Sequence, residues 1–311
     1  MKTAVKIILV SVLVGLAGCN PNEIFEKELY KKVIGILSDD NLVFTAEYDL
    51  NVENAQGSIS VYCGGTNALE KDVFVEIEFD DELLAEYNRI QYDTVSVEFA
   101  KQLSADRFEI PELSTVLRAN DSKSYSTIDI KLNHQGLSPD SLYMIPLRIK
   151  SVSDFEINEE KRRVLYNVKI KNDFAQQKVT TYYKMKGLRT FELEPDKPRP
   201  VSADKVFSPI SKNKVRTLVG THNFSGKKAS LEEIDEYGIM LEIHSDSTLT
   251  IHPCGSAEVE MLGNSEDNRY ELKNNSQVFH LYYEYYGYSE QNNRFMWITM
   301  QETLTRQGDT N

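Results

Sequence analysis

Cysteine and positive charge are both scarce in this chain, and each scarcity closes off a class of protein. Three cysteines in 311 residues, at positions 19, 63 and 254, are too few for a disulfide framework. Cys19 ends the leader sequence, while Cys63 and Cys254 fall in strand-like stretches of different halves, so both are expected to be free thiols. Lysine and arginine total 35 against 48 aspartate and glutamate, a formal net charge of -13. Phosphate backbones are held by clustered basic side chains, so this balance argues against nucleic acid. The basic stretches Lys161-Arg162-Arg163 and Lys212 to Arg216 are short, lie beside acids or polar turns, and read as solvated loops. Past the leader, no apolar run approaches the roughly 20 residues that a membrane-spanning helix needs.

The usual chemical motifs are missing as well. There is no Gly-x-Ser-x-Gly, no His-Glu-x-x-His and no phosphate loop. The acid clusters Asp80-Asp81-Glu82, Glu159-Glu160 and Glu232 to Glu236 sit in turn or exposed helical contexts. None alternates along an apolar strand as a glycosidase pair would, and all three read as solvated. His252-Pro253-Cys254, with His244 nearby, matches no zinc spacing, so neither a metal nor a cofactor is expected.

What is present begins at residue 1. Lys2 and Lys6 precede an apolar run from Ile7 to Leu16, the pattern of a secretory signal. Leu16-Ala17-Gly18-Cys19 resembles the bacterial lipobox, which implies cleavage before Cys19, a diacylglycerol on its thiol and an acylated amino terminus. Each buried methylene contributes about 0.8 kcal/mol, so several acyl chains hold a folded domain on a membrane without a spanning helix. Residues 1–18 are therefore expected to be a lipoprotein signal peptide and 19–32 a polar tether, with membrane contact only through the lipid.

From Val33 the apolar residues recur with period two: Val43 to Tyr48, Gly57 to Cys63, Val73 to Phe79, Ser114 to Leu117, Tyr125 to Leu132, Leu142 to Ile149 and Val164 to Ile170. One short helix, from Glu82 to about Arg89, follows Asp80-Asp81, with Asp81 available to cap it. Many short strands and almost no helix predict an antiparallel sandwich over 33–173, with Pro146 marking an edge or a bulge. Glu194 to Pro200, with three prolines, reads as an extended connection. Five more strand-like runs follow it, at Ile239 to His244, Ser247 to Ile251, Ala257 to Met261, Val278 to Tyr288 and Phe295 to Met300. Hairpins this short close most simply into a small antiparallel barrel over 174–311, because closure removes exposed edges.

Asp72-Val73-Phe74-Val75-Glu76-Ile77, Leu83-Leu84-Ala85-Glu86-Tyr87-Asn88 and Leu142 through Ser151 resemble an N-terminal domain of unknown function widespread in Bacteroidetes lipoproteins. Phe279 to Tyr285 and the closing Glu302 to Arg306 resemble the domain often fused to it. The resemblance covers nearly all of the mature chain. It implies an all-β protein: an immunoglobulin-like sandwich followed by a calycin-like, that is lipocalin-like, barrel. It also implies a gene among polysaccharide-utilisation genes and display at the outer membrane, facing outward.

The remaining chemical signal is aromatic. Between Phe279 and Tyr288, period two puts Phe279, Leu281, Tyr283 and Tyr285 on one face and Tyr282, Glu284, Tyr286 and Tyr288 on the other. One face must be core; the other presents tyrosines beside a carboxylate, and Trp297 on the next strand adds a flat ring. Sugars stack their C–H faces on such rings while carboxylates accept their hydroxyls. The candidate glycan-binding residues are therefore Tyr282, Glu284, Tyr286, Tyr288 and Trp297. The expected protein is non-catalytic and lipid-anchored, binding glycan for capture or import. The alternatives are a structural or adhesive lipoprotein whose partner is another envelope protein, and an unrecognised glycosidase. Asp93-Thr94-Val95, Asp140-Ser141-Leu142 and Asp246-Ser247-Thr248 resemble O-glycosylation acceptors of exported Bacteroides proteins.

Overall fold

A computed structural model describes residues 30–121, 123–222 and 229–307; Cys19, the signal peptide and most of the tether lie outside the described residues. The first eleven strands are β1 (Val33–Ile36), β2 (Val43–Asp49), β3 (Ala55–Gly64), β4 (Val73–Phe79), β5 (Lys101–Gln102), β6 (Phe108–Glu109), β7 (Ser114–Leu117), β8 (Tyr125–Leu132), β9 (Tyr143–Val152), β10 (Glu156–Ile157) and β11 (Arg163–Lys171). They form two sheets, in the orders β10-β1-β3-β8-β6 and β2-β11-β9-β4-β7, with β5 added alongside β9. Alternation builds the core between the sheets: Val73, Val75 and Ile77 on β4 and Ile128, Ile130 and Leu132 on β8 are all buried in one cluster. The sandwich is not purely antiparallel, because β2 runs parallel to β11 over seven register pairs from Val43–Leu165 to Asp49–Lys171.

The helix Asp81–Tyr92 (α1) covers the outside of the second sheet through Leu83 and Leu84, which pack with Met144 and Leu165. Its cap is Asp80 rather than the expected Asp81: the Asp80 side chain accepts the Leu83 N–H at 3.3 Å. Asp80 is buried and paired with Arg163, whose Nε donates to Oδ2 at 2.6 Å and Nη2 to Oδ1 at 3.1 Å. So neither Asp80 nor Arg163 belongs to a solvated cluster. Pro146 also departs from expectation, because β9 lies inside its sheet, flanked by β11 and β4. The Pro146 carbonyl accepts from Asp80 N–H, and in a strand the nitrogen faces the same edge. That edge is where β4 stops at Phe79, so the missing donor faces no strand.

The second half comprises β12 (Thr181–Phe191), β13 (Arg199–Ser211), β14 (Lys214–Leu218), α2 (Leu231–Tyr237), β15 (Gly238–Ile243), β16 (Leu249–Pro253), β17 (Val259–Met261), β18 (Arg269–Lys273), β19 (Ser276–Ser289) and β20 (Arg294–Gln307). They form one curled sheet in the order β16-β15-β14-β13-β12-β20-β19-β17, with β18 also on β19. The curl nearly closes where Leu249 N–H donates to Asn268 and Tyr270 N–H to Ser247, so almost all strand edges are consumed. Its core holds Tyr183 stacked on Phe207 at 4.2 Å, with Phe279 edge-on to Tyr183 at 5.5 Å. Glu194 to Pro200 is a connection within the barrel, and its prolines are not all outside a ladder. It links the hairpin β12–β13, and Pro200 stands in register opposite Leu188.

The halves meet through specific polar contacts. Asn172 donates to the carbonyls of Ser211 (2.7 Å) and Lys214 (3.1 Å) and accepts the N–H groups of Phe174 and Ala175. Arg216, expected in a solvated loop, is instead buried on β14 and holds Asp140 of the sandwich with two hydrogen bonds of 2.5 Å.

Candidate functional site

The hairpin β19–β20 is the longest element, with fourteen register pairs from Ser276–Gln307 to Ser289–Arg294. Phe279, Leu281, Tyr283 and Tyr285 point into the barrel and are buried. Tyr286 and Tyr288, on the other face, are 41% and 45% exposed. The register sets Tyr286 opposite Trp297 and Tyr288 opposite Phe295. The rings therefore form a row, with centroid separations of 5.3 Å (Tyr288–Phe295), 6.0 Å (Phe295–Tyr286) and 5.7 Å (Tyr286–Trp297). Phe295 is 49% exposed and was not among the sequence candidates; its alternation with buried Met296, Ile298 and Met300 carried the signal. The Tyr288 hydroxyl donates to Asn293 Oδ1 at 2.5 Å, which fixes the ring at the hairpin tip.

Glu284 is half-buried and stands opposite Glu260 of β17 and Thr299 of β20. Burial, and then the neighbouring carboxylates of Glu260 and Glu192, push its carboxyl above the usual range. Glu192 also accepts the backbone N–H of Trp297 at 3.3 Å, so the acids flank the tryptophan end of the row. They lie on an open sheet face, not in a cleft that would exclude water. That arrangement suits accepting hydroxyl groups more than cleaving bonds. Tyr282 stands apart: a Cβ on Gly263 would lie 2.8 Å from its Cδ1, so its ring packs over the link after β17. Among the described residues it makes no ring contact with the row.

Behind the row, the barrel interior carries charge. Lys205 and Glu302 are both fully buried, with Nζ 2.7 Å from Oε1. Tyr283 donates to the same carboxylate oxygen at 3.2 Å and accepts the Gly220 N–H at 2.8 Å. Burial pushes the Lys205 amine down and the carboxyl of Glu302 and hydroxyl of Tyr283 up. No sequence pattern announced this network, because its members come from strands far apart in the chain.

Cys63 is buried, its thiol donating to the Gly64 carbonyl at 3.3 Å, and Cys254 is half-buried; the two are not joined in a disulfide. His244 bonds Thr250 at 2.7 Å and His252 bonds Glu242 at 3.0 Å. Among the described residues no three acid, histidine or cysteine side chains are placed to hold a metal, and no helix is long and apolar enough to cross a membrane.

Two paired family models match in tandem, one described as an N-terminal domain over residues 25–156 and one as C-terminal over 162–305. The second match begins before β11, a strand whose ladder lies in the sandwich. No curated protein matches the chain significantly. A protein of unknown function from Bacteroides ovatus is similar over 88% of this chain and 94% of its own, with 14% identity and a TM-score of 0.66. A multidomain protein including DUF1735 from the same species has the same coverage and identity and a TM-score of 0.61. An auxiliary nutrient binding protein from Bacteroides thetaiotaomicron is 13% identical, over 85% of this chain and 90% of that one, with a TM-score of 0.53. At such identities the likeness is one of fold: an all-β, two-part architecture shared with Bacteroides proteins.

Proposed function

We propose that this protein is a non-catalytic, lipid-anchored nutrient-binding protein of the outer membrane, and that it holds glycan on the ring row Tyr288, Phe295, Tyr286 and Trp297. The row itself carries the reading: four contiguous aromatic side chains on the outside of a barrel whose core is already filled. Contiguous exposed apolar surface marks interaction sites in soluble domains. A flat ridge suits the repeated C–H faces of a polysaccharide chain, with Glu284 accepting hydroxyls at its flank. Tyr282, under the β17–β18 link, contributes at the margin. The nutrient-binding name of a neighbour with this fold is consistent with the role. The test is titration with polysaccharides, comparing wild type with variants of the row, whose loss of rings is expected to weaken binding without loss of stability.

The anchor is Cys19, which carries lipid and places the folded part on the cell surface. Cys19→Ala is expected to abolish palmitate labelling and move the protein from the membrane fraction to the soluble periplasm. Unchanged labelling would refute it. Phe295, a ring without a hydrogen-bonding atom at the centre of the row, favours one second reading, an interface with another envelope protein. Glycan binding by wild type that requires the row would decide against that reading.

A further inference from the structure

A crevice of about 200 Å³ lies where the sandwich meets the barrel. Its floor is the outer face of β12, β13 and β14, where Tyr182 stands opposite Val206 and Ser208 opposite Arg216. Its wall comes from Pro139 and Asp140, from Lys169 of β11, and from Gln176, Gln177 and Thr180 in the passage between domains. Ligand sites favour such junctions, because concavity arises wherever two convex bodies meet.

The chemistry of the lining is specific. Arg216 and Asp140 neutralise one another through two short hydrogen bonds, so the strongest cation and anion there cancel. Gln177 is fixed at both ends, its Oε1 accepting from Ile170 N–H at 2.7 Å and its Nε2 donating to the Pro139 carbonyl at 2.7 Å. Lys169 has a partner of its own. Among the described residues, the Gln176 amide, the Ser208 hydroxyl and the Tyr182 hydroxyl are uncommitted, and the Tyr182 ring is 49% exposed. A flat ring, an amide and hydroxyls around a self-neutralised ion pair match a neutral, polyhydroxylated ligand. The volume falls below the roughly 300–1,000 Å³ of sites for drug-sized molecules, and so suits one sugar ring rather than an oligosaccharide.

We propose that this crevice is a second carbohydrate site, taking a single neutral pyranose, such as a chain end, between Tyr182 and Gln176. The ligand class rests on the reading of the outer row as a glycan platform; the place rests on the geometry of the crevice alone. The mature full-length chain would be titrated calorimetrically with glucose, galactose, mannose, xylose and N-acetylglucosamine, and with glucuronate and galacturonate. At least one neutral sugar is expected to bind. Tyr182→Ala should weaken it about five- to tenfold, the scale of one lost ring contact. Gln176→Ala, which removes a side-chain amide that makes no hydrogen bond among the described residues, should weaken it severalfold. Tyr286→Ala and Tyr288→Ala should leave it unchanged. Absence of neutral monosaccharide binding, binding indifferent to both crevice variants, or preference for the uronates would each overturn the proposal. Should polysaccharide binding be missing while Tyr182-dependent monosaccharide binding persists, the outer-row reading falls and the crevice stands; the converse removes the crevice alone.

Discussion

Lys205 and Glu302 lie out of water with Nζ 2.7 Å from Oε1, and their attraction offsets part of the cost of burying them. Removing one partner strands the other. Glu302→Leu is therefore expected to destabilise the barrel by about 3–5 kcal/mol, whereas the double variant Lys205→Met/Glu302→Leu should regain most of that loss. Urea melts of the three proteins test this, and a double variant no better than the single would contradict it. Asp80 sets a different expectation, for acid. Burial alone would raise its carboxyl, but the hydrogen bonds and charge of Arg163, with the Leu83 N–H, outweigh burial and hold it below the ordinary 3.8. A folded-state value below the unfolded one gives stability that is complete above pH 3.8 and is lost as pH falls through the depressed value. Denaturant midpoints measured from neutral pH into acid should fall less steeply in Asp80→Asn than in wild type. Parallel slopes would remove Asp80 from the account. Sequence could not reveal this role. Asp80 looks like one more acid in a turn until Arg163, 83 residues away, is placed beside it.

At the scale of elements, strand alternation was the most legible feature. Val73–Phe79, Ser114–Leu117 and Tyr125–Leu132 are bounded in the structure as their patterns suggested. The same periodicity separated buried Tyr283 and Tyr285 from exposed Tyr286 and Tyr288. What periodicity cannot state is which strand lies next to which. The row exists because the register puts Trp297 beside Tyr286 and Phe295 beside Tyr288; alternation marks Phe295 as outward but cannot say which rings it meets. Likewise β13 hid behind Pro200 and Pro209, which the strand tolerates at its start and at its register shift. The parallel pairing of β2 with β11 joins segments more than a hundred residues apart and leaves no local trace.

At the scale of the molecule, the two halves are joined by directional contacts: Arg216 to Asp140, Asn172 to Ser211 and Lys214, and Gln277 to the Asp173 carbonyl. Removing one carboxylate strands a buried guanidinium. Asp140→Ala should therefore split a single calorimetric transition into two, as sandwich and barrel unfold separately; one unchanged transition would show that the junction does not couple them. Charge-paired with Lys197 and Arg199, Glu194 belongs to a hairpin link, so a protease cut there nicks the barrel without releasing a domain.

The proposed role of the outer row is to bind glycan and not to hold the fold together. Its most direct measurement is the affinity of the triple variant Tyr286→Ala/Tyr288→Ala/Trp297→Ala for polysaccharide, taken with its melting temperature and with Tyr283→Ala as the buried control. The triple variant is expected to lose about 1–3 kcal/mol of binding at a nearly unchanged melting temperature. Tyr283→Ala should lose about 3–5 kcal/mol of stability. A wild type that binds no polysaccharide, or a triple variant that binds as wild type does, would contradict it.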